Sequence, residues 1–221
     1  MTHSVHPYAH RIGILRDWKS RWFSRGGSYQ DNLKTDVLLR EYLEKRLRGM
    51  YVSDIELERS KNVLRVIIKT SRPGIIIGRG GEGSTKLKND IERFIRRNKL
   101  THEGEIKVDI EEVRNPEADA MIVAQMVAEG LERRLPFRRV LKQTVEKVLA
   151  HRDVEGVRVL LSGRLGGADM ARKEQLKKGR IPLQTFRADI DFARYRATIP
   201  QGDLGIKVWI YRGEVFDANN Q

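Results

Sequence analysis

Gly78, Gly80 and Gly83 in IIIGRGGEG spell G-x-G-x-x-G, the spacing of a loop that cradles a dinucleotide pyrophosphate at a helix N-terminus. That chemistry needs a strand running directly into the loop within a βαβ unit, and Pro73-Gly74 interrupts the chain five residues before Gly78. Parsed instead as Gly78-Arg79-Gly80-Gly81, the segment is a G-x-x-G loop joining a short helical turn, 75–77, to a following helix. Glycines at both ends let the backbone approach phosphates without Cβ clashes, the helix start offers unpaired N–H groups, and Arg79 adds a charge-assisted contact. Loops of this kind clamp about four nucleotides of a single strand while an adjacent apolar groove takes the bases. The structural alternative is a tight turn that binds nothing.

Two further segments carry phosphate chemistry. RRLPFRRVLK, 133–142, holds five basic residues and no acidic one. After Pro136, Arg138 and Lys142 are four apart on one helical face with Arg139 beside them, while Val140, Leu141 and Val145 supply the packing side. Such a ridge suits a row of phosphates, in a sequence-independent and salt-sensitive way. Its alternative is a solvated charged face, whose like charges repel slightly when no anion offsets them. SGRLGGADMARK, 162–173, sets Arg164 among glycines ahead of a possible helical turn, with Arg172 and Lys173 closing it and Lys177, Lys178 and Arg180 following. It lacks a G-K-[ST] ending, so no lysine and hydroxyl pair awaits a triphosphate and magnesium. RNA backbone contact and a structural turn both remain open for it.

No constellation supports catalysis. His3, His6 and His10 fall three and four apart, but Pro7 interrupts them and no carboxylate or cysteine completes a metal set. His102 and His151 are isolated. Glu111-Glu112 and the pair Asp189, Asp191 lie on strand-like stretches amid basic residues, which favours salt bridging over acid–base work. Ser162 lacks evident His and Asp partners. With no cysteine in the chain, disulfides, thiolate nucleophiles and cysteine-ligated zinc are excluded together. No cofactor is expected.

The elements that must position these residues alternate in period. A helix is predicted over about 36–48, with Val37, Leu38, Tyr42 and Leu43 at helical spacing and Gly49 as its stop. DIELE and VLRVIIK read as paired strands, a helix resumes near Ser84 with Leu87, Ile91, Phe94 and Ile95 on one face, and EIKVDIE alternates as a third strand. Asn115-Pro116 opens a helix to about Arg134, and Val140, Leu141, Val145 and Val148 mark another. Three strands follow, around VRVLLS, TFRADIDFARYR and IKVWIYR. The fold class is therefore α+β, with two helices packed on a small β-sheet in the second half. The expected division is an N-terminal extension over 1–35, a first domain over 36–111, a second over 112–216 and a polar tail over 217–221. Gly26-Gly27-Ser28 reads as flexible, and Trp18, Trp22 and Phe23 beside Lys19, Arg21 and Arg25 could stack on bases, meet a partner or pack onto the first domain.

The 221 residues contain 43 Lys plus Arg against 30 Asp plus Glu, a formal charge of +13, and the isoelectric point is near 10.1. A soluble protein so basic has a polyanion as its natural partner. No apolar run is long enough to span a bilayer and MTHSVHPYAHRIG lacks the apolar core of a signal peptide, so no membrane association and a cytoplasmic location are expected.

IKTSRPGIIIGRGGEG, EVRNPEADAMIVAQMVAEGLERRLPFRRVLKQTVEKVL, VRVLLSGRLGGADMARKE, GRIPLQTFRADIDFA, GIKVWIYRGE and the opening VHPYAHRIGILRDWKSRWF together resemble the bacterial small-subunit ribosomal protein three family, over nearly the whole chain. The resemblance implies a type II KH domain over 36–111 followed by a second α+β domain. It implies 16S rRNA of the subunit head and messenger RNA as partners, with small-subunit proteins ten, fourteen, five and four as neighbours, and no homo-oligomer. It further implies that Arg138, Arg139 and Lys142 line the channel where message enters and help open its helices without ATP. Arg164, Arg172, Lys173, Lys177, Lys178 and Arg180 become additional rRNA contacts. Relatives commonly carry two basic residues within G-x-x-G; here only Arg79 is basic, which lowers the charge of the loop and raises its flexibility. The competing functions are an abasic-site nuclease, for which no feature isolates a Schiff-base lysine, and a free regulatory KH protein.

Overall fold

The structure is a computed structural model that describes residues 5–60, 62–100 and 104–216. The chain divides into two units, Trp18–Arg114 and Met1–Asp17 together with Asn115–Gln221. In chain order the first elements are α1 (Pro7–His10), β1 (Ser20–Arg21), α2 (Gly27–Arg46), β2 (Val52–Arg59), β3 (Val63–Thr70), α3 (Pro73–Ile77), α4 (Glu82–Arg97) and β4 (Glu105–Glu112). Then come α5 (Ala120–Glu132), α6 (Phe137–Leu149), β5 (Gly156–Gly163), β6 (Arg172–Gly179), β7 (Ala188–Ile199) and β8 (Gly202–Glu214). His3, His102 and the tail 217–221 lie outside the described residues.

In the unit Trp18–Arg114 the sheet runs β1-β2-β3-β4. β2 and β3 are antiparallel, with Leu57 opposite Val66, and β3 and β4 are parallel, with Val66 opposite Val108. A parallel pair needs a crossover, and α3 and α4 supply it. One face of the sheet is apolar at alternate positions, Ile55, Leu57, Leu64, Val66, Ile68 and Ile106, and the core closes on it with Leu39 and Leu43 of α2 and Leu87, Ile91 and Ile95 of α4. Asp36 lies within this layer at 1% exposure. Its carboxylate accepts from Arg59 Nη2 at 2.6 Å and from Trp22 Nε1 at 2.6 Å, so α2 is tied to β2 and to the strap before it.

The other unit has an antiparallel sheet in the order β6-β5-β8-β7. Val157, Val159, Leu161, Ile206, Val208 and Ile210 face α5 and α6, which contribute Val123, Val127, Val140, Leu141 and Val145 to one core. Residues 5–17 belong here: Arg11, fully buried, donates to the carbonyls of Ala188, Thr185 and Leu183 at 2.6, 2.9 and 3.1 Å. Arg16 pairs with Asp189 at 2.6 Å.

Four elements differ from expectation. The stretch 1–35 is no separate extension, because Arg11 and Arg16 fasten its first part to β7 while α2 starts at Gly27, not near Asp36. Of Gly26-Gly27-Ser28, read as flexible, Gly26 at φ +65° is the N-cap of that helix and Gly27 and Ser28 lie in its first turn. α5 starts at Ala120: Pro116–Ala118 form a 3-10 turn, and Asp119, not Asn115, caps the helix by accepting from the N–H groups of Met121 and Ile122 at 2.9 and 3.0 Å. Finally, the second sheet has four strands instead of three, since 172–179, for which no strand is expected, forms the edge strand β6.

Candidate nucleic-acid interface

The glycine loop is built by close packing of α3 on α4. A Cβ on Gly83 would lie 2.4 Å from the Ile76 carbonyl oxygen, so only glycine lets the helices approach this closely. Between them Gly78, Gly80 and Gly81 adopt φ of +70°, +60° and +81°, and Arg79–Gly81 makes a 3-10 turn. α3 stands between β3 and the loop, which removes the strand-to-loop junction of a dinucleotide site. Ser84 and Thr85 donate their hydroxyls to the Gly81 carbonyl at 2.9 and 3.2 Å, bracing the turn from the first turn of α4. Arg79 is exposed, and Ile75 and Ile77 beside it stand 53% and 38% exposed, an apolar lip next to a cationic turn.

The basic ridge sits on α6. Arg138, Arg139 and Lys142 are all exposed, and Pro136 precedes the helix with no acidic residue in its first turn. Cations at a helix N-terminus oppose the macrodipole, so the helix accepts an electrostatic cost there that a bound anion would relieve. Opposite, on β6, Glu174 meets Arg138 at 3.3 Å and Arg172 at 3.7 Å. That hydrogen bond and charge hold the Arg138 guanidinium above its ordinary pKa. Phe137 lies under both arginines, 5.6 Å from Arg138 and 5.4 Å from Arg172. Between α6 and β6 runs a groove of about 300 Å³, lined by Leu141, Val145 and Leu176 together with Arg138, Lys142, Glu174 and Lys178.

The pleat of β6 separates the other basic positions. Arg172 and Lys178 share the side of Glu174 and Leu176, whereas Lys173 and Lys177 point to the opposite side with Gln175. Arg180 is exposed just past the strand. Arg164 is engaged inside its own loop, donating to the carbonyls of Ala168 and Gln201 at 3.0 and 3.1 Å and pairing with Asp169 at 3.3 Å. The turn Leu165–Gly167 is thus braced by Arg164, and no helix follows it.

The chemically suggestive remainder is absorbed by the fold. His6 sets its ring edge-on to Phe192 and His10 stacks on Phe186. Asp189 and Asp191 pair with Arg212 at 3.8 and 3.1 Å. Ser162 donates to the Gly205 carbonyl at 3.3 Å. Among the described residues no group of three or more His, Cys, Asp or Glu could hold a metal, and no helix is long and apolar enough to cross a membrane.

A G-x-x-G loop between two helices that back onto one face of a β-sheet, joined to a basic α+β unit, defines an RNA-binding protein of the KH class. Residues 38–118 match the KH domain family, and residues 127–210 match the family described as ribosomal protein S3, C-terminal domain. Relatives named small ribosomal subunit protein uS3 include that of Alcanivorax borkumensis, 46% identical over 221 residues, which span 100% of this chain and 93% of the relative. Those of Endomicrobium trichonymphae and Clostridium novyi are 44% and 41% identical, covering 98% and 97% of this chain and 90% and 94% of theirs. The chain belongs to the uS3 family of small ribosomal subunit proteins. As a member it is a structural, RNA-binding ribosomal protein.

Proposed function

We propose that this protein binds 16S rRNA in the head of the cytoplasmic small subunit and guides incoming messenger RNA past the ridge formed by Arg138, Arg139 and Lys142. The observation that carries the reading is the cluster of exposed cations in the first turns of α6, placed against the helix dipole with no acid in that turn. The ridge grips phosphates without reading bases, so any message can pass. A fixed positive rail also resists re-pairing of strands that translocation pulls apart, which would contribute to ribosomal helicase activity with no nucleotide cofactor.

The Trp18–Arg114 unit acts in this proposal as a type II KH domain whose loop, Gly78 to Gly81, touches rRNA lightly because Arg79 is its one cation. Arg172, Lys173, Lys177, Lys178 and Arg180 add rRNA contacts along the edge strand, while Arg164 shapes the neighbouring turn. Small-subunit proteins ten, fourteen, five and four are its proposed neighbours.

Crosslinking of labelled message to isolated small subunits tests this reading. Subunits carrying Arg138→Ala/Arg139→Ala/Lys142→Ala are expected to assemble but to lose most crosslinks downstream of the decoding site. Undiminished crosslinking would reassign the ridge to rRNA packing.

A further inference from the structure

The outward faces of the two sheets carry charge in opposite ways. On the sheet of Trp18–Arg114 the cations have carboxylates of their own: Arg21 meets Glu56 and Glu58 at 2.7 Å, Lys69 meets Glu56 at 2.6 Å, Lys19 meets Asp54 at 2.9 Å, and Arg65 bonds Asp109. That face is internally neutralised and offers a polyanion little.

On the C-terminal sheet the register brings cations together instead. With Val157, Val159, Ile206 and Val208 turned to the helices, the alternate positions face away. There Lys177 lies opposite Arg158, and Lys207 lies opposite Arg194. Lys173 and Arg196 extend the patch along their strands. Of these six, only Arg196 has a carboxylate within 4.0 Å among the described residues, Asp203 at 3.3 Å. Directly opposed strand positions are about 5 Å apart, so unscreened like charges there destabilise the sheet.

Two of the cations also lie against aromatic rings. Arg158 sits 4.9 Å over the Trp209 ring and donates to Gln175 Oε1 at 3.0 Å; Arg194 sits 5.4 Å from the Phe192 ring. The two rings are 5.1 Å apart and are capped by guanidiniums, so they present charge rather than open π-faces. One end of this face is already closed, by Ile181 and Leu183 against Ile190 and Tyr211 and by the segment that Arg11 fastens.

We propose that the open part of this outer face binds the sugar–phosphate backbone of structured ribosomal RNA, on the opposite side of the sheet from the α6 ridge. It is a second RNA surface in the same unit, and it adds Arg158, Arg194, Arg196 and Lys207 to the contacts already proposed for Lys173 and Lys177. Cations spread over a sheet face, two of them laid on aromatic rings, suit a static array of phosphates, whereas a moving message needs the ridge. This inference rests on the reading of the protein as an RNA-binding ribosomal component.

The test uses the full chain and a transcript of the 16S rRNA head domain, with affinity measured across a salt series. Lys177→Ser/Arg194→Ser/Lys207→Ser is expected to bind at least tenfold more weakly and to flatten the dependence of log K on log salt by about two units, near 0.7 to 0.9 for each lost phosphate contact. Acetylation of Lys173, Lys177 and Lys207 in the wild-type protein is expected to drop when the transcript is added, a readout that survives if the variant does not fold. Wild-type binding with unchanged variant affinity and no protection overturns this inference and leaves the general RNA-binding reading intact. Absence of any salt-dependent wild-type binding overturns both. Unchanged transcript affinity with failed incorporation into reconstituted subunits assigns the face to a protein neighbour and also overturns it.

Discussion

Arg138 on α6 and Glu174 on β6 form a 3.3 Å ion pair, and the same carboxylate lies 3.7 Å from Arg172. One acid therefore screens two cations at the mouth of the groove. Glu174→Gln releases both. Binding of single-stranded RNA by this variant is expected to tighten severalfold, with a salt slope steeper by about one unit. Filter binding over a salt series checks it, and an unchanged slope would show that the strand does not meet Arg138.

The glycine loop depends on the approach of α3 to α4 at Gly83. In Gly83→Ala the added carbon, 2.4 Å from the Ile76 carbonyl oxygen, must push the helices apart. Overpacking of this kind costs about 1–3 kcal/mol, which urea unfolding of the full chain reads directly. Arg79→Ala, by contrast, touches no packed group; its stability is expected to stay within about 0.5 kcal/mol of wild type.

Asp36 carries two interactions with different worth. Its pairing with Arg59 is buried on both sides, the side chains being 2% and 9% exposed. Asp36→Ala leaves the guanidinium without its partner, and a loss of about 3–5 kcal/mol is expected. Trp22→Phe keeps that ion pair and removes one hydrogen bond to a charged acceptor, a loss nearer 1.5–3 kcal/mol. Equal losses in the two variants would mean that the strap, not the ion pair, holds α2.

Tyr211 gives the C-terminal unit an alkaline limit. Burial first, then the charges of Glu155 and Glu214, push its phenol above the ordinary value. A group whose folded pKa is raised contributes stability that is full below the unfolded pKa, about 10, and is lost as pH rises through the folded value. Tyr211→Phe is expected to flatten the alkaline limb of stability against pH, and an unchanged limb would place the loss in another group.

Much of the architecture is legible in the sequence wherever one face is buried. Leu57, Val66 and Ile106 mark strands, and Leu87, Ile91 and Ile95 mark α4, because burial imposes the period. The first turns of α2 carry no such mark: residues 27–31 are all exposed, so nothing selects an apolar period there. β6 escapes for a similar reason. It is an edge strand with only Glu174 and Leu176 half-buried, and its lysines are the residues that blunt an edge. Asn115 and Asp119 are both competent caps, and only the 3-10 turn between them decides which one works. At the site, residue types pointed to phosphate, but partners come from register. Glu174 screening Arg138, Arg164 reaching the Gln201 carbonyl and Lys207 facing Arg194 are long-range relations that no local spacing encodes.

In the proposed function the α6 ridge holds message while it enters. The most direct measurement is single-ribosome translocation rate on messages with and without a downstream duplex, comparing wild type with Arg138→Ala/Arg139→Ala/Lys142→Ala. The variant is expected to pass unstructured message at a near-normal rate and to pass the duplex severalfold more slowly than wild type. Equal slowing on both messages, or none on either, would contradict it.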